Sequence, residues 1–328
     1  MIRFGIIGAG RIGQVHARSI FQHPEAKLVA ISDPVIEAAQ KLADQYDAKA
    51  VTEAPDIFNN EDIDAVIVCS PTPLHVTHIS EGVKAGKAVL CEKPIAMDSE
   101  AVATLEDELE GFNPRVMLGF NRRFDPNFSH IHNLVDQGHI GDVEQLTIIS
   151  RDPAAPPKEY IAVSGGIFKD MTIHDFDMAR FFLGEITEVT AIGQNLDPDL
   201  ADTGDFDAAI IVLKNADGKV ATIVNSRHCA SGYDQRLEAF GPKGALFADN
   251  VRATTVRSST ADYTEAQQPY LDFFLERYES AYYNELDTFI RAIEGEGSFA
   301  PSIHDGIAAL KIAEAAGESA KSGGPVSL

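Results

Sequence analysis

A carboxylate and an imidazole lie four residues apart in the stretch 165–183, which reads GGIFKDMTIHDFDMARFFL. If this stretch forms one helix, Asp170 and His174 lie one turn apart on the same face, and Asp177 continues that line. A neutral imidazole accepts a proton near pH 7, and a neighbouring carboxylate fixes its tautomer and stabilises the cation. The spacing therefore predicts a proton-transfer pair, although two side chains at this spacing are also an ordinary feature of a helix surface.

The same stretch carries apolar residues that predict a buried side of the helix, namely Ile173, Phe176, Phe182 and Leu183. Two ligands from one helix are too few for a metal ion, and no third His or Cys is nearby in the sequence. We therefore expect no metal at this pair.

Lys93 is a second candidate for chemistry. It stands in the E-K-P string at 92–94, at the end of the apolar run AVLCEK, which predicts a parallel strand. Proline restricts the preceding residue to extended backbone, and open parallel sheets bind ligands beyond the carboxyl ends of their strands. A lysine in this position is therefore either a ligand-binding group or a solvated charge.

The elements that must position these residues begin with a glycine motif. Residues 3–8 form a short apolar strand that runs into GAGRIG, with Gly8, Gly10 and Gly13 at the spacing GxGxxG. A helical pattern follows to residue 21, and the strand at 27–33 ends in Asp33. In dinucleotide-binding folds the first glycine makes a tight turn, the second lets backbone approach the pyrophosphate, and the third allows close helix–strand packing. The helix N-terminus then offers N–H groups to the phosphates.

Asp33 predicts which dinucleotide binds. A carboxylate here accepts hydrogen bonds from the adenosine ribose hydroxyls and repels a 2′-phosphate. The next residues, Pro34, Val35 and Ile36, supply no Arg or Lys that would bind such a phosphate. We therefore predict NAD in preference to NADP.

The remaining pattern predicts two domains. Apolar runs at 65–70, 88–93 and 115–120 extend a doubly wound parallel Rossmann sheet over residues 1–121. Residues 122–328 predict an α+β domain with a mainly antiparallel open sheet, and its C-terminal helices can pack back on the first domain. Its predicted elements are a helix at 126–137, strands at 143–151, 185–195, 206–213, 220–227 and 235–240, a hairpin turn at 215–219, and helices at 274–293 and 304–319.

Composition excludes several function classes. The 328 residues carry a net charge of −23, which argues against nucleic acid and anionic membranes as partners because phosphate groups attract basic patches. The three cysteines Cys69, Cys91 and Cys229 show no C-x-x-C spacing, so we expect neither a disulfide framework nor a zinc site. No signal-peptide or membrane-spanning pattern is present in the sequence, and a cytoplasmic location is the expectation.

Several strings together resemble the glucose–fructose oxidoreductase/inositol dehydrogenase (Gfo/Idh/MocA) family, in motif order over the whole chain. They are GAGRIG near residue 8, EKP at 92–94 and DMTIHD at 170–175. Longer strings at 151–157, 164–181, 225–241 and 274–278 are similar to its inositol 2-dehydrogenase branch. The resemblance implies an NAD-dependent oxidation of a cyclic polyol, in the first place myo-inositol to 2-keto-myo-inositol (scyllo-inosose). It also implies a homotetramer formed through the open sheet of the second domain.

The resemblance also implies residue roles. Lys93, Asp170 and His174 would be catalytic, and Arg122, Asp152 and Tyr233 would join them in the polyol pocket, with a weaker indication for Asn121. The predicted cofactor contacts are Gly8, Gly10, Arg11, Ile12, Gly13, Asp33, Ser70, Thr72, His75, Glu92 and Lys93.

Three alternatives stay open on the sequence. The first is the same chemistry on another polyol or sugar, such as scyllo-inositol, D-chiro-inositol or an aldose. The second is a non-catalytic NAD-binding regulator, which the presence of both Lys93 and His174 disfavours. The third is a hydrolase that uses Asp170 and His174 on a bound metal.

Overall fold

The computed structural model describes all residues from Met1 to Leu328, and the chain divides into two compact units. Unit 1 comprises Met1–Phe124 and Ser280–Leu310, and unit 2 comprises Asp125–Glu279 and Lys311–Leu328. The sequence boundary after residue 121 thus lies close to the first crossing, whereas residues 280–310 return to the first unit.

Unit 1 is built on a six-stranded parallel sheet of order β3-β2-β1-β4-β5-β6. Its strands are β1 (Ile2–Ile7), β2 (Ala26–Ser32), β3 (Lys49–Val51), β4 (Ala65–Val68), β5 (Ala88–Glu92) and β6 (Val116–Gly119). Its helices include α1 (Arg11–Gln22), α2 (Ile36–Ala43), α3 (Pro55–Phe58), α4 (His75–Lys84) and α5 (Ser99–Glu108).

The sequence of the central strands explains this sheet. Every residue of β4 and β5 is buried, as expected for parallel strands that are covered on both faces. Phe4, Ile67 and Leu90 lie in the core cluster, and so does Phe289 from α11 (Glu279–Ile293). A C-terminal helix therefore completes the core of the N-terminal sheet.

Unit 2 is built on a seven-stranded sheet of order β12-β11-β7-β10-β9-β8-β15. All neighbours are antiparallel except β7 and β10, which run parallel. Its strands are β7 (Gln145–Arg151), β8 (Ile186–Gln194), β9 (Ala208–Asn215), β10 (Val220–Ser226), β11 (Asp234–Gly241), β12 (Gly244–Ala248) and β15 (Val326–Ser327), and β13 (Arg257–Ser258) pairs separately with β14 (Ala266–Gln267).

Unit 2 also contains helices, and those at 126–136 and 173–183 pack against this second sheet. The helices of unit 2 are α6 (Pro126–Asp136), α7 (Lys158–Ser164), α8 (Gly166–Asp170), α9 (Ile173–Leu183) and α10 (Phe274–Arg277), and the final helix α12 (Ile303–Ser322) crosses from unit 1 to unit 2. Burial alternates along β9 and β10, as expected for a sheet with one packed and one open face. The fold class predicted from the sequence is confirmed, including the β9–β10 hairpin.

Two predicted helices are interrupted. The prediction of one helix over 274–293 is wrong, because α10 ends at Arg277 and α11 begins at Glu279. Arg277 is buried and pairs with Asp125, while Tyr278 packs its ring against Tyr233. These tertiary contacts outweigh local helix preference. The second interruption separates Asp170 from His174 and is described below.

No helix combines the length and apolar content that crossing a lipid bilayer requires.

Candidate active site

The glycine turn of unit 1 is set by steric limits. Gly8 has a φ of +103°, and a Cβ there would lie 2.6 Å from the Cys69 carbonyl oxygen. A Cβ on Gly13 would lie 2.0 Å from the Gly8 carbonyl oxygen, so α1 can pack this closely on β1 only with glycine. Gly10 has open space where its Cβ would be, which leaves its backbone accessible to a ligand.

The first turn of α1 fits an anionic cofactor. Gly10 caps the helix without a side-chain hydrogen bond, and the first turn carries no acidic residue. Arg11 is exposed and Ile12 half-buried at this end of the helix. The N–H groups and the positive end of the helix dipole therefore remain available to a pyrophosphate.

Asp33 lies beside this turn, directly after β2. Its Oδ2 accepts a hydrogen bond from the Ala9 amide at 2.8 Å, and its Oδ1 accepts one from the Val35 amide at 2.9 Å. These bonds orient the carboxylate at the carboxyl edge of the sheet. The glycine turn and this carboxylate together fit an NAD molecule, with ribose hydroxyls at Asp33 and phosphates at α1.

The loop after β4 is joined to the segment that follows β5. The two ring nitrogens of His75 lie 2.7 Å from the Pro94 carbonyl oxygen and 2.8 Å from the Ser70 carbonyl oxygen. Burial lowers the pKa of His75, so the ring is neutral at pH 7 and donates to one of the two carbonyls. His75 thus braces this loop, and its contact with the cofactor stays a prediction, as does that of the half-buried Thr72.

Ser70 has a hydrogen-bonding partner of its own. Its hydroxyl lies 2.9 Å from Nδ1 of His78, and burial, with a smaller effect of His75, lowers the pKa of His78 to about 4. His78 is therefore an uncharged partner near neutral pH.

Lys93 follows β5 and is half-buried, and a cis peptide joins it to Pro94. Arg122 and Asn121 are buried in a 3₁₀ turn that follows β6. Burial raises the pKa of the nearby Cys69 and Cys91 thiols, so these two cysteines are protonated packing residues. Unit 1 therefore gathers Gly8, Asp33, Ser70, Lys93 and Arg122 at one edge, because the carboxyl ends of parallel strands lie together.

The two residues of the predicted proton-transfer pair lie in unit 2, on two different helices. The prediction of a single helix is wrong here: α8 ends at Asp170, Met171 and Thr172 form a turn, and α9 begins at Ile173. Asp170 accepts a hydrogen bond from the Tyr160 hydroxyl at 3.0 Å.

A buried polar network holds the junction between α8 and α9. The Thr172 hydroxyl lies 2.6 Å from Asn225 Oδ1, and Asn225 Nδ2 donates to Asp175 Oδ2 at 2.8 Å. Asn225 projects from β10, so one side chain of the sheet anchors the chain on both sides of His174 by hydrogen bonds. A histidine whose flanking residues are anchored in this way keeps its orientation.

Sequence reasoning missed this network, although a signal was present. Ala221, Ile223 and Asn225 occupy the buried positions of β10, so an amide stands where the pattern requires an apolar residue. A polar side chain at a buried strand position needs a hydrogen-bond partner. Asp177, which is not among the predicted catalytic residues, is buried within α9.

The sheet of unit 2 brings two predicted polyol-pocket residues to one edge. Asp152 directly follows β7, and its amide donates to the Ser226 carbonyl at 2.8 Å. Asp234 pairs with Arg151, which places Tyr233, the residue before β11, at the same edge as Asp152. The ring of Tyr233 is buried against Phe273 and Tyr278.

The fold and the glycine turn define a dinucleotide-dependent oxidoreductase with a separate α+β domain. Residues 2–120 match an oxidoreductase family with an NAD-binding Rossmann fold, and residues 128–247 match the GFO/IDH/MocA C-terminal domain. The chain belongs to the GFO/IDH/MocA family of oxidoreductases.

Within this family, the chain is similar to three proteins named as inositol dehydrogenases. It is 48% identical to inositol 2-dehydrogenase of Rhizobium meliloti (strain 1021), over 96% of both chains. A crystal structure of a myo-inositol dehydrogenase from Corynebacterium glutamicum ATCC 13032 is 51% identical, with a TM-score of 0.97 over 100% of this chain and 99% of that one. A scyllo-inositol dehydrogenase from Lactobacillus casei, solved with NAD(H) and scyllo-inositol, is 33% identical, with a TM-score of 0.92 over 100% and 99% of the two chains.

Replacing Asp33 by serine tests the basis of NAD selection. We expect NAD affinity to fall at least about tenfold, because hydrogen bonds to a charged group contribute about 1.5–3 kcal/mol each. The ratio of NADP to NAD affinity should rise, because the repulsion of a 2′-phosphate disappears. Calorimetric titration with both dinucleotides measures this ratio.

Glu25→Ser is the matched control, since Glu25 is an exposed acid just before the opposite end of β2. An unchanged NADP-to-NAD ratio in Asp33→Ser would show that Asp33 does not select the cofactor.

Thr172→Val tests the network around His174. The substitution keeps the side-chain shape but leaves the buried Asn225 Oδ1 without its donor, so we expect a loss of about 1–3 kcal/mol in the free energy of unfolding. Thr172→Ser retains the hydroxyl and should stay closer to wild type. Urea unfolding of the three proteins gives the comparison, and equal stability of the Val and Ser variants would contradict the network.

Proposed function

We propose that this chain is an NAD-dependent inositol 2-dehydrogenase that oxidises myo-inositol to 2-keto-myo-inositol. The observation that carries the proposal is the 48% identity to an inositol 2-dehydrogenase over 96% of both chains. Lys93, Asp170 and His174, the three predicted catalytic residues, are present in the chain. A cytoplasmic location belongs to the same proposal.

In the proposed reaction, each of the three predicted catalytic residues has a separate role. His174 removes the proton of the reacting hydroxyl, and Asp170 stabilises the imidazolium that forms. Lys93 hydrogen-bonds the same oxygen and stabilises its developing negative charge. The C–H bond breaks as a hydride leaves the carbon, and the carbon–oxygen bond becomes the carbonyl bond of a ketone. Bound NAD supplies the hydride acceptor at nicotinamide C4.

Substrate selection in this scheme depends on hydrogen bonds. Myo-inositol is uncharged, so a chain with a net charge of −23 neither attracts nor repels it at long range. Arg122, Asp152 and Tyr233 are the proposed additional contacts of the polyol. A site that hydrogen-bonds a particular hydroxyl rejects an isomer that leaves its buried polar groups unpaired.

Scyllo-inositol is the competing substrate, because a 33% identical structure was solved with scyllo-inositol and NAD(H). The two isomers differ at one hydroxyl-bearing carbon. Rates of NAD reduction with myo-inositol, scyllo-inositol, D-chiro-inositol and an aldose decide between them.

The catalytic roles predict the activity of two variants. His174→Ala should lower kcat for NAD reduction with myo-inositol about 10²–10⁴-fold, the range that general acid–base catalysis supplies. Lys93→Met should also lower kcat strongly, because the developing oxyanion loses its positive charge. NADH absorbance follows turnover, and titration with NAD verifies that both variants still bind the cofactor.

The matched controls are His304→Ala and Lys41→Met, which alter an exposed histidine and an exposed lysine. Wild-type turnover in either active-site variant would remove that residue from the mechanism. NAD binding without turnover of any polyol by the wild type would favour the regulator instead.

We also propose a homotetramer assembled through the open face of the unit 2 sheet. Exposed apolar side chains on this face support it: Ile192 is 64% exposed and Phe247 is 66% exposed. Ile192 pairs with Ile210 across β8 and β9, so these side chains are adjacent. Contiguous exposed apolar surface of this kind marks protein interfaces.

Ile210→Asp should disrupt the assembly, because it places a charge on this apolar face. We expect multi-angle light scattering to give a tetramer mass for wild type and a smaller mass for the variant. Val256→Asp, which changes an exposed apolar residue outside the strands of this sheet, is the control. A wild-type monomer, or a variant that stays tetrameric, would contradict this interface.

A further inference from the structure

A buried ionisable cluster lies beneath the edge of the parallel sheet in unit 1. It consists of His16 from α1, Glu92 from the end of β5, and Glu285 from α11. His16 and Glu285 are 0% exposed and Glu92 is 8% exposed. One nitrogen or oxygen atom from each side chain lies within 4.8 Å of those of the other two.

Glu92 is held from two sides. Its Oε1 lies 2.8 Å from His16 Nε2, and the His16 ring packs edge-on against Tyr282 at 5.6 Å between centroids. On β6, a Cβ at Gly119 would lie 3.1 Å from Glu92 Oε2. Glycine at this position therefore makes room for the carboxylate.

Glu285 differs from Glu92 in its hydrogen bonding. Both of its carboxyl oxygens are buried without a protein hydrogen-bond partner. A second buried carboxylate beside Glu92 would be costly, because burial penalises charge and like charges repel. Burial first, and the Glu92 charge second, raise the pKa of Glu285 well above its usual value. Glu285 is therefore a neutral acid near pH 7.

The other ionisable groups around the cluster do not change this conclusion. Cys69 and Cys91 are buried thiols that burial keeps protonated. His16 Nε2 lies within hydrogen-bond distance of Glu92, and the ring of Tyr282 packs edge-on against His16. Glu285 makes no direct hydrogen bond to the His16–Glu92 pair, so its neutral carboxyl group can donate its proton toward the pair through one water molecule.

We propose that Glu285 is a positioning residue for Lys93 and acts through the His16–Glu92 pair. Consecutive side chains of a strand point to opposite sides, so a fixed Glu92 side chain at the end of β5 determines the direction in which Lys93 leaves the sheet. His16 belongs to the helix whose first turn carries the glycine motif. One carboxylate therefore ties the predicted cofactor-binding helix to the lysine.

This inference rests on the proposed dehydrogenase reaction, and variants of Glu285 test it. Glu285→Leu fills similar space without a donor, and kcat with NAD and myo-inositol should fall at least about tenfold, as for other residues that orient a reacting group. The KM for NAD should stay within about twofold, because the glycine turn is intact. Glu285→Gln, whose neutral amide donates, should restore kcat to within about threefold of wild type.

Glu294→Gln is the matched control, since Glu294 is an exposed acid just beyond the end of α11. Thermal unfolding of all variants separates stability from positioning. A Leu variant that loses only stability while keeping kcat would make Glu285 purely structural. A Gln variant as slow as the Leu variant would overturn the neutral-acid donor.

A second measurement is independent of turnover. Infrared spectroscopy of the wild type should show the carbonyl band of a neutral carboxylic acid, and Glu285→Gln should lack it. Absence of this band would overturn the inference, as would a stoichiometric metal ion that Glu285→Gln loses. An enzyme inactive on every polyol that still shows the band would refute the proposed function instead.

Discussion

The contact between α1 and β1 at Gly13 is the steric constraint on which the cofactor half of the site depends. A Cβ on Gly13 would lie 2.0 Å from the Gly8 carbonyl oxygen. Only glycine at this position therefore allows α1 to pack this closely on β1. The same helix brings His16 to Glu92, the residue before Lys93. A single close approach of backbone to backbone therefore sets both the phosphate-binding end of α1 and the anchor of β5.

In unit 2, hydrogen bonds rather than close backbone packing fix the position of a predicted catalytic residue, His174. His174 stands at the start of a helix, where backbone freedom is largest. Thr172 and Asp175 on either side are fastened to Asn225 of the sheet. Each polar group in this network satisfies another, so its burial costs little once the fold is complete. The position of His174, a predicted catalytic residue, thus depends on a strand that sequence inspection would assign only to the core.

Much of the candidate site can be predicted from local sequence, because short patterns encode it. The glycine motif, Asp33 and the E-K-P string each follow an apolar run, and parallel strands bring their carboxyl ends together whatever the loops between them. The rest depends on tertiary contacts. The pairing of Asn225 with Thr172 spans 53 residues, and α10 ends where Arg277 meets Asp125. No periodicity in either segment contains that information.

Electrostatics links these observations to the choice of ligand. The chain carries a net charge of −23, yet its cofactor contains two phosphate groups. Long-range repulsion is screened over about 8 Å at physiological ionic strength, so binding is decided at short range. There the uncapped first turn of α1 presents backbone N–H groups and no acidic side chain, while the predicted role of Asp33 is to repel an additional phosphate by its negative charge. An acidic protein can therefore bind one anionic dinucleotide and discriminate against a more highly charged one.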